Sequence, residues 1–290
     1  MPHTPMRRAL VLIGALLLAL AAPAAAQDST VVIRGFDTEL AVQPDGNVEV
    51  TEAIRFAFTG RWNGILRDLS LQHNTAEGRR EKLDLQVVSV TDERGQPLRV
   101  EHEKPDSWMH RLRIYIPGAQ NAERTVMIRY RVRNAIRFYF PDSTSAGGET
   151  TRFDELYWNV TGNDWTMPIE RASARIVLPP GALPTRWAAY TGYAGATGSD
   201  AQIAVDSVRR VVRFQTTREL ATGEGMTVAA GWAPGAVSSR PTEAQHLAAV
   251  RAHRRAEAVR MWPLALPILV FWMSLRAWRR RGRDPKPESI

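Results

Sequence analysis

The chain has 290 residues, 38 Lys and Arg against 30 Asp and Glu for a net charge of +8, 44% hydrophobic residues and no cysteine. Without cysteine there is no disulfide scaffold, no thiol nucleophile and no thiolate metal site. The positive excess sits at the two ends: setting aside Arg7, Arg8, six basic residues after 275, Asp284 and Glu288 leaves a middle near about +2, which excludes a nucleic-acid footprint.

The N-terminus reads as a leader. Arg7 and Arg8 precede an uncharged apolar run from Ala9 to Ala22, followed by Pro23 and the small-residue site Ala24-Ala25-Ala26. That order of charged, apolar and A-x-A segments is a secretory signal peptide, here 1–26, with the mature chain starting near Gln27. The run is short for a membrane span.

From 27 to 236 the chain alternates apolar and polar residues at period two, the signature of half-buried strands. Phe36, Thr38, Leu40 and Val42 share one parity, as do Val48, Val50, Ile54, Phe56 and Phe58. Pro44-Asp45-Gly46-Asn47 between them predicts a hairpin. Further strands are expected at Leu83–Val90, around Trp108–Ile116, at Val126–Val132, Leu156–Val160, Ala174–Leu178, Ile203–Val205, Val211–Phe214 and Thr227–Trp232. So many short strands without a long helical pattern imply a mainly β fold, a β-sandwich of one body or two packed subdomains.

Glu52 breaks the pattern by standing on the apolar face between Val50 and Ile54. A buried carboxylate must be paired or neutralised. Its nearest candidate partner is Arg67, beyond the turn-like Gly60–Gly64. A Glu–Arg clamp is the structural reading; a ligand-binding or catalytic carboxylate is the functional one.

Past the strands, Thr242-x-x-Gln245 after Pro241 is a capping box opening a helical stalk, 237–259. Met261 to Leu275 carries no charge, lies between Arg260 and Arg276, and has Trp262, Trp272 and Trp278 at its edges. This reads as a transmembrane helix over 260–278, with Pro263 in its first turn and Pro267 kinking it. Fifteen helical residues rise only about 22 Å, so snorkelling arginines must extend the span. The basic residues that follow make 279–290 a cytoplasmic tail by the positive-inside rule. Leader and tail agree on one topology: a single-pass protein of a bacterial cytoplasmic membrane, β domain outside and C-terminus inside.

Several blocks carry a family resemblance: Asp45-Gly46, Val48-x-Val50-x-Glu52, Phe58-x-Gly60, Gly64-Ile65-x-Arg67, Phe153-Asp154-Glu155-Leu156-Tyr157-Trp158-Asn159-Val160-x-Gly162, Trp165-x-Met167-Pro168-Ile169 and Gly282-Arg283-Asp284-Pro285. Together they resemble the DUF2207 family. The resemblance implies an N-terminal extracytoplasmic β domain followed by membrane segments, and no assigned reaction.

Chemistry is scarce elsewhere. There is no G-x-S-x-G, H-E-x-x-H or phosphate-binding loop. His246 and His253 share a helix face two turns apart, too far for one metal, and are expected to be solvated. Asp154 and Glu155, with Asp142 and Glu149 in the preceding loop, could bind a cation, but a solvated loop with a strand-entry acid is the simpler reading. Trp158 and Trp165 are expected in the core, while Trp62, in a Gly-flanked loop, is as suited to stacking on a sugar or partner. The Asn159-Val160-Thr161 sequon reads as incidental.

The expectation is therefore a non-enzymatic envelope protein without metal or cofactor. It is held by the lipid bilayer and contacts an envelope or membrane protein. The alternative is a membrane-tethered hydrolase or carbohydrate-binding module acting on envelope glycan, using carboxylates such as Glu52 and Asp154.

Overall fold

The computed structural model describes residues 29–76, 78–141 and 152–282, with 261–265 and 281 described as backbone. The leader, Asp142, Glu149 and the tail beyond Gly282 lie outside the described residues.

The alternation at the start of the chain becomes two long strands, β1 (Thr30–Val42) and β2 (Val48–Arg61), joined by the expected hairpin. The Gln43 carbonyl accepts from Gly46 N–H, and Gln43 N–H donates to Asn47 at 2.8 Å. Gly46 stands at φ +83°, which suits glycine. Then follow β3 (Gly64–Ser70), β4 (Gln72–Asn74), β5 (Arg80–Lys82), β6 (Asp84–Asp92), β7 (Val100–Glu103), β8 (Met109–Tyr115), β9 (Gln120–Arg133) and β10 (Ile136–Tyr139). The second half supplies β11 (Phe153–Asn159), β12 (Ala172–Val177), β13 (Pro184–Gly192), β14 (Ala201–Asp206), β15 (Val211–Thr216) and β16 (Gly225–Trp232).

Seven strands make the main sheet, in the order β14-β15-β12-β1-β2-β9-β6. β1 meets β12 in parallel, Phe36 beside Ala172 and Leu40 beside Ile176, while its other neighbour β2 is antiparallel. Over this sheet lie a four-stranded sheet, β10-β11-β16-β13, and a three-stranded sheet, β3-β8-β7; β4 and β5 form a small ribbon. One contiguous core joins Ile54 and Phe56 of the main sheet to Leu112 and Ile114 of the three-stranded sheet and Leu156 and Trp232 of the four-stranded one. The result is a β-sandwich with a shared interior rather than two separable subdomains.

β3, β4, β5, β7, β10 and β13 were not legible as strands in the sequence. β3 runs immediately out of the turn-like segment, and β13 carries Pro184, Ala188 and Ala189, which hide its alternation. β4, β5, β7 and β10 are three or four residues long, too short for a period to show.

Among the described residues one helix, α1 (Glu243–Arg281), runs for 39 residues, about 58 Å. Its start carries both halves of the capping box between Thr242 and Gln245. The separate stalk and span expected at 237–259 and 260–278 are thus one continuous element, and both prolines fall inside it rather than at the start of a new helix. Among the described residues no helix is long and apolar enough to cross a membrane, so the transmembrane helix expected at 260–278 is without support there.

Phe56 fixes the middle of the interior: its ring lies 5.7 Å from that of Phe58 and 6.0 Å from that of Trp165. Phe56→Ala should cost about 3–5 kcal/mol in urea-monitored unfolding, with m unchanged.

Candidate functional site

Glu52 lies at the centre of β2, fully buried, beside Thr38 of β1 and Ile128 of β9. Strand alternation aims its carboxylate at the sandwich interior, where β3 crosses. There Arg67 donates from Nε to Glu52 Oε2 at 2.9 Å and from Nη2 to Oε1 at 2.7 Å, a bidentate pair. The Tyr130 hydroxyl, from β9, donates to the same Oε1 at 2.7 Å.

The other donors of Arg67 reach backbone. Nη1 bonds the Thr161 carbonyl at 2.6 Å and the Asp68 carbonyl at 3.3 Å, and Nη2 bonds the Val160 carbonyl at 3.3 Å. All five N–H groups of the guanidinium therefore have acceptors. The guanidinium also stacks 5.1 Å from the centroid of Phe36 and 5.6 Å from that of Trp165.

Electrostatics follow from this enclosure. Burial pulls the Arg67 pKa down, but the Glu52 charge and hydrogen bonds outweigh it, so the net shift is upward and the guanidinium stays charged. Burial, then the Glu52 charge, pushes the Tyr130 hydroxyl well above its ordinary value, keeping it a donor. Tyr130 was missed by sequence reasoning, although a polar-tipped side chain on the apolar face of β9 was the available signal.

Gly162 follows the two carbonyls that Arg67 holds. Its φ of +77° favours glycine, and a Cβ there would stand 3.1 Å from Arg67 Nη1. Thr161, fully buried, accepts the Met226 N–H on its hydroxyl at 2.9 Å. The side-chain amide of Asn159 in the sequon is bonded within the turn, to Asn163 and to Gly162 N–H.

Two clefts open on either side of this bridge. The first, about 410 Å³, is walled by Val31, Trp62, Ile65 and Leu66 and by Trp165 and Met167. The second, about 290 Å³, contains His73, Arg137, Tyr157, Trp158 and Asn159. Arg67, Asp68 and Asp164 border both. Trp62 is part-buried against Phe58, at 6.2 Å, and its Nε1 donates to the Thr59 carbonyl at 3.0 Å. Trp165 is buried, donating to the Thr161 carbonyl at 2.8 Å, and Trp158 is buried 6.5 Å from Tyr130.

Asp154 and Glu155 stand at the entry of a strand, as expected. Both lie within β11, where Asp154 is fully buried and bonded through Oδ1 to Arg240. Arg240 also donates to the Tyr139 carbonyl at 2.8 Å. Glu155 meets Arg137 at 3.6 Å and the Tyr139 hydroxyl at 3.3 Å, and burial raises its pKa against the lowering effect of Arg137. Neither carboxylate lines either cleft, so Glu52 and Asp154 do not form a glycosidase-like pair across an open site. Among the described residues no group of three His, Cys, Asp or Glu is placed to hold a metal ion. The expectation of two solvated histidines is corrected for His246: it is buried and stacked 3.9 Å from Phe140, whereas His253 is exposed. The apolar contact exists because α1 begins against the β body rather than clear of it.

The model of the family described as predicted membrane protein (DUF2207) N-terminal domain matches residues 32–232, the span that contains both clefts and their bridge. The chain belongs to the DUF2207 family. The DUF2207 domain therefore ends at the last residue of β16, before Arg240 and α1. No curated protein matches this DUF2207 chain in sequence. Among solved structures it is similar to leukotriene A4 hydrolase from Saccharomyces cerevisiae, at 13% identity and a TM-score of 0.42 over 74% of this chain and 33% of that one. A putative protease from Parabacteroides distasonis matches at 11% and 0.40, over 69% and 40%. An M1 zinc metallopeptidase mutant from Deinococcus radiodurans matches at 11% and 0.36, over 68% and 42%. This DUF2207 chain spans less than half the length of each, and at these scores the likeness decides no activity.

Two outcomes test the site. Arg67→Met should destabilise by about 3–5 kcal/mol by stranding the Glu52 carboxylate, and adding Glu52→Gln should recover much of that loss in equilibrium unfolding. His73, in the second cleft, has its pKa lowered to about 4 by burial and then by the Arg137 charge. The folded state thus favours the neutral ring, and the unfolded chain takes up the extra proton. Stability should fall as pH drops from about 6.5 towards 4, by up to about 3 kcal/mol from this group. The loss should be smaller in His73→Gln when urea midpoints are compared across that range.

Proposed function

We propose that the chain is a non-catalytic, membrane-tethered envelope protein whose β body makes contacts with another protein at the first cleft. The observation that carries this reading is the closure of Glu52. The acid that stands out in the sequence is fully buried and bonded to Arg67 and Tyr130, so it has no route to a substrate. The adjoining cleft is instead walled by aromatic, aliphatic and methionine side chains, the composition of a binding surface.

Tethering draws support from α1. Seven of the eight residues from Leu266 to Met273 are large apolar side chains, each 56–67% exposed: Leu266, Ile268, Leu269, Val270, Phe271, Trp272 and Met273. They follow one another along the helix, so they cover all its faces rather than one stripe. Such a surface needs an apolar covering, and the family description points to membrane proteins. The segment is short, and its attachment relies on Arg260 and Arg276 reaching the interface and on local bilayer thinning. The leader and the basic tail support an orientation with the β body outside the bacterial cytoplasmic membrane and the C-terminus inside.

Fractionation of cells making the full chain should leave it in the carbonate-washed membrane pellet, with an epitope after Ile290 protected from protease until the membrane is opened. Release by carbonate would defeat the tether, and an epitope digested in intact spheroplasts would defeat the orientation.

A further inference from the structure

We infer that the free edge of β3 accepts an extended segment of a partner polypeptide that carries no acidic side chain. The segment adds a short strand beside Gly64–Leu66 and seats a large apolar side chain in the first cleft. The inference rests on the reading of that cleft as an interaction site and specifies how it is used.

The register of β3 fixes which backbone groups are spare. β3 and β8 pair antiparallel with Ile65 opposite Ile114 and Arg67 opposite Leu112. Just beyond the ends of the ladder, Ile116 N–H donates to the Asn63 carbonyl and Leu71 N–H donates to the Trp108 carbonyl. Hydrogen-bonded pairs alternate along an antiparallel ladder, so residues 63, 65, 67, 69 and 71 turn their backbone groups towards β8. Gly64 and Leu66 turn theirs the other way. Among the described residues nothing bonds the Leu66 N–H or carbonyl, and its side chain is 42% exposed.

An unpaired edge is common, and proteins usually blunt it. Here β6 carries a bulge between Val87 and Ser89, β13 opens on Pro184 with a bulge beside it, and β7 is four residues long with two glutamates. β3 has seven residues, no proline and no register shift, and it borders both clefts. What lies along its open side at Gly64–Leu66 is the 410 Å³ space faced by Trp62, Trp165 and Met167. A row of spare N–H and C=O groups beside an apolar pocket suits an extended polypeptide: backbone pairing supplies affinity, and the pocket selects a side chain.

Two features define the occupant. The rim cations are already matched, Arg111 to both oxygens of Asp68 at 2.7 Å and Arg113 to Glu103 at 2.9 Å, and Asp164 adds a further acid to the lining, so an acidic side chain would find no partner there. Beyond Leu66 the Arg67 guanidinium crosses to the Thr161 carbonyl and occupies the edge at Asp68. The added strand therefore stops at that bridge, paired with Gly64 and Leu66 through up to about four backbone hydrogen bonds.

The test pans detergent-solubilised full-length protein against a phage-displayed library of random decapeptides. Enriched peptides are then synthesised and N-methylated one amide at a time. The expected result is enrichment of sequences that lack acidic residues and bear a large apolar one. Methylation of alternate amides across three or four residues should weaken binding at least about tenfold while their neighbours tolerate it, the mark of strand pairing. Leu66→Pro and Trp62→Ala should lose the peptides, and Val88→Lys, on the edge strand β6, should keep them. The methyl scan uses unaltered protein, so the outcome stands even where a variant folds poorly. No enrichment, or binding indifferent to methylation at every position, overturns the strand-addition proposal. A photocrosslinking residue at Leu66 in native membranes separates the two readings. A crosslinked protein together with methylation-insensitive peptides keeps the interaction site and removes the strand. Strand-like peptides with no crosslinked protein count against the wider reading.

Discussion

The architecture turns on one side chain. Arg67 belongs to the three-stranded sheet, its ion-pair partner Glu52 to the seven-stranded sheet, and its carbonyl partners Val160 and Thr161 to the turn leaving the four-stranded sheet. Three sheets that share no strand ladder among the described residues are thereby joined, within their common core, by one planar cation. Arginine suits this position in a way that lysine would not, because its five donors leave in fixed directions and each finds an acceptor. Burying a charge pair is costly, and the gain from pairing offsets that cost only when the geometry is complete. Completeness is what the surrounding residues supply: the Tyr130 hydroxyl on Glu52, and a glycine at 162 that leaves room for the guanidinium.

The bridge also shapes the surface. By crossing from β3 to Thr161 it divides what would be one trough into an apolar cleft and a more polar one. A second arginine acts similarly at the base of the helix, where Arg240 joins Asp154 of β11 to the Tyr139 carbonyl after the last sheet strand has ended. Both buried acids are therefore structural neighbours of arginines that tie elements distant in sequence.

The strongest sequence signals were those that depend on local periodicity. β1, β2 and β9 are long enough for alternation to show, and their pairing follows from one hairpin and a shared apolar parity. Glu52 was conspicuous because it violated that parity, and Arg67 because it was the nearest cation beyond a turn. The carbonyls of Val160 and Thr161 carried no side-chain signal at all. Tyr130 was disguised as one more apolar residue of β9, and His246 as a solvated member of a polar helix. The parallel union of β1 with β12 lay beyond reach for a different reason: nothing in either segment states which distant strand it will meet, and the choice is made by the closing of the whole interior.

That parallel union bears on how the molecule comes into being. Phe36 pairs with Ala172 across 136 positions, and Ile33 bridges Ile169. β1 therefore cannot gain its second neighbour until more than half of the chain has emerged. Such long-range pairing slows folding and leaves apolar strand edges bare in the meantime. That delay leaves the β1–β2 hairpin exposed to aggregation, and it places this step within the reach of a chaperone that holds extended chains.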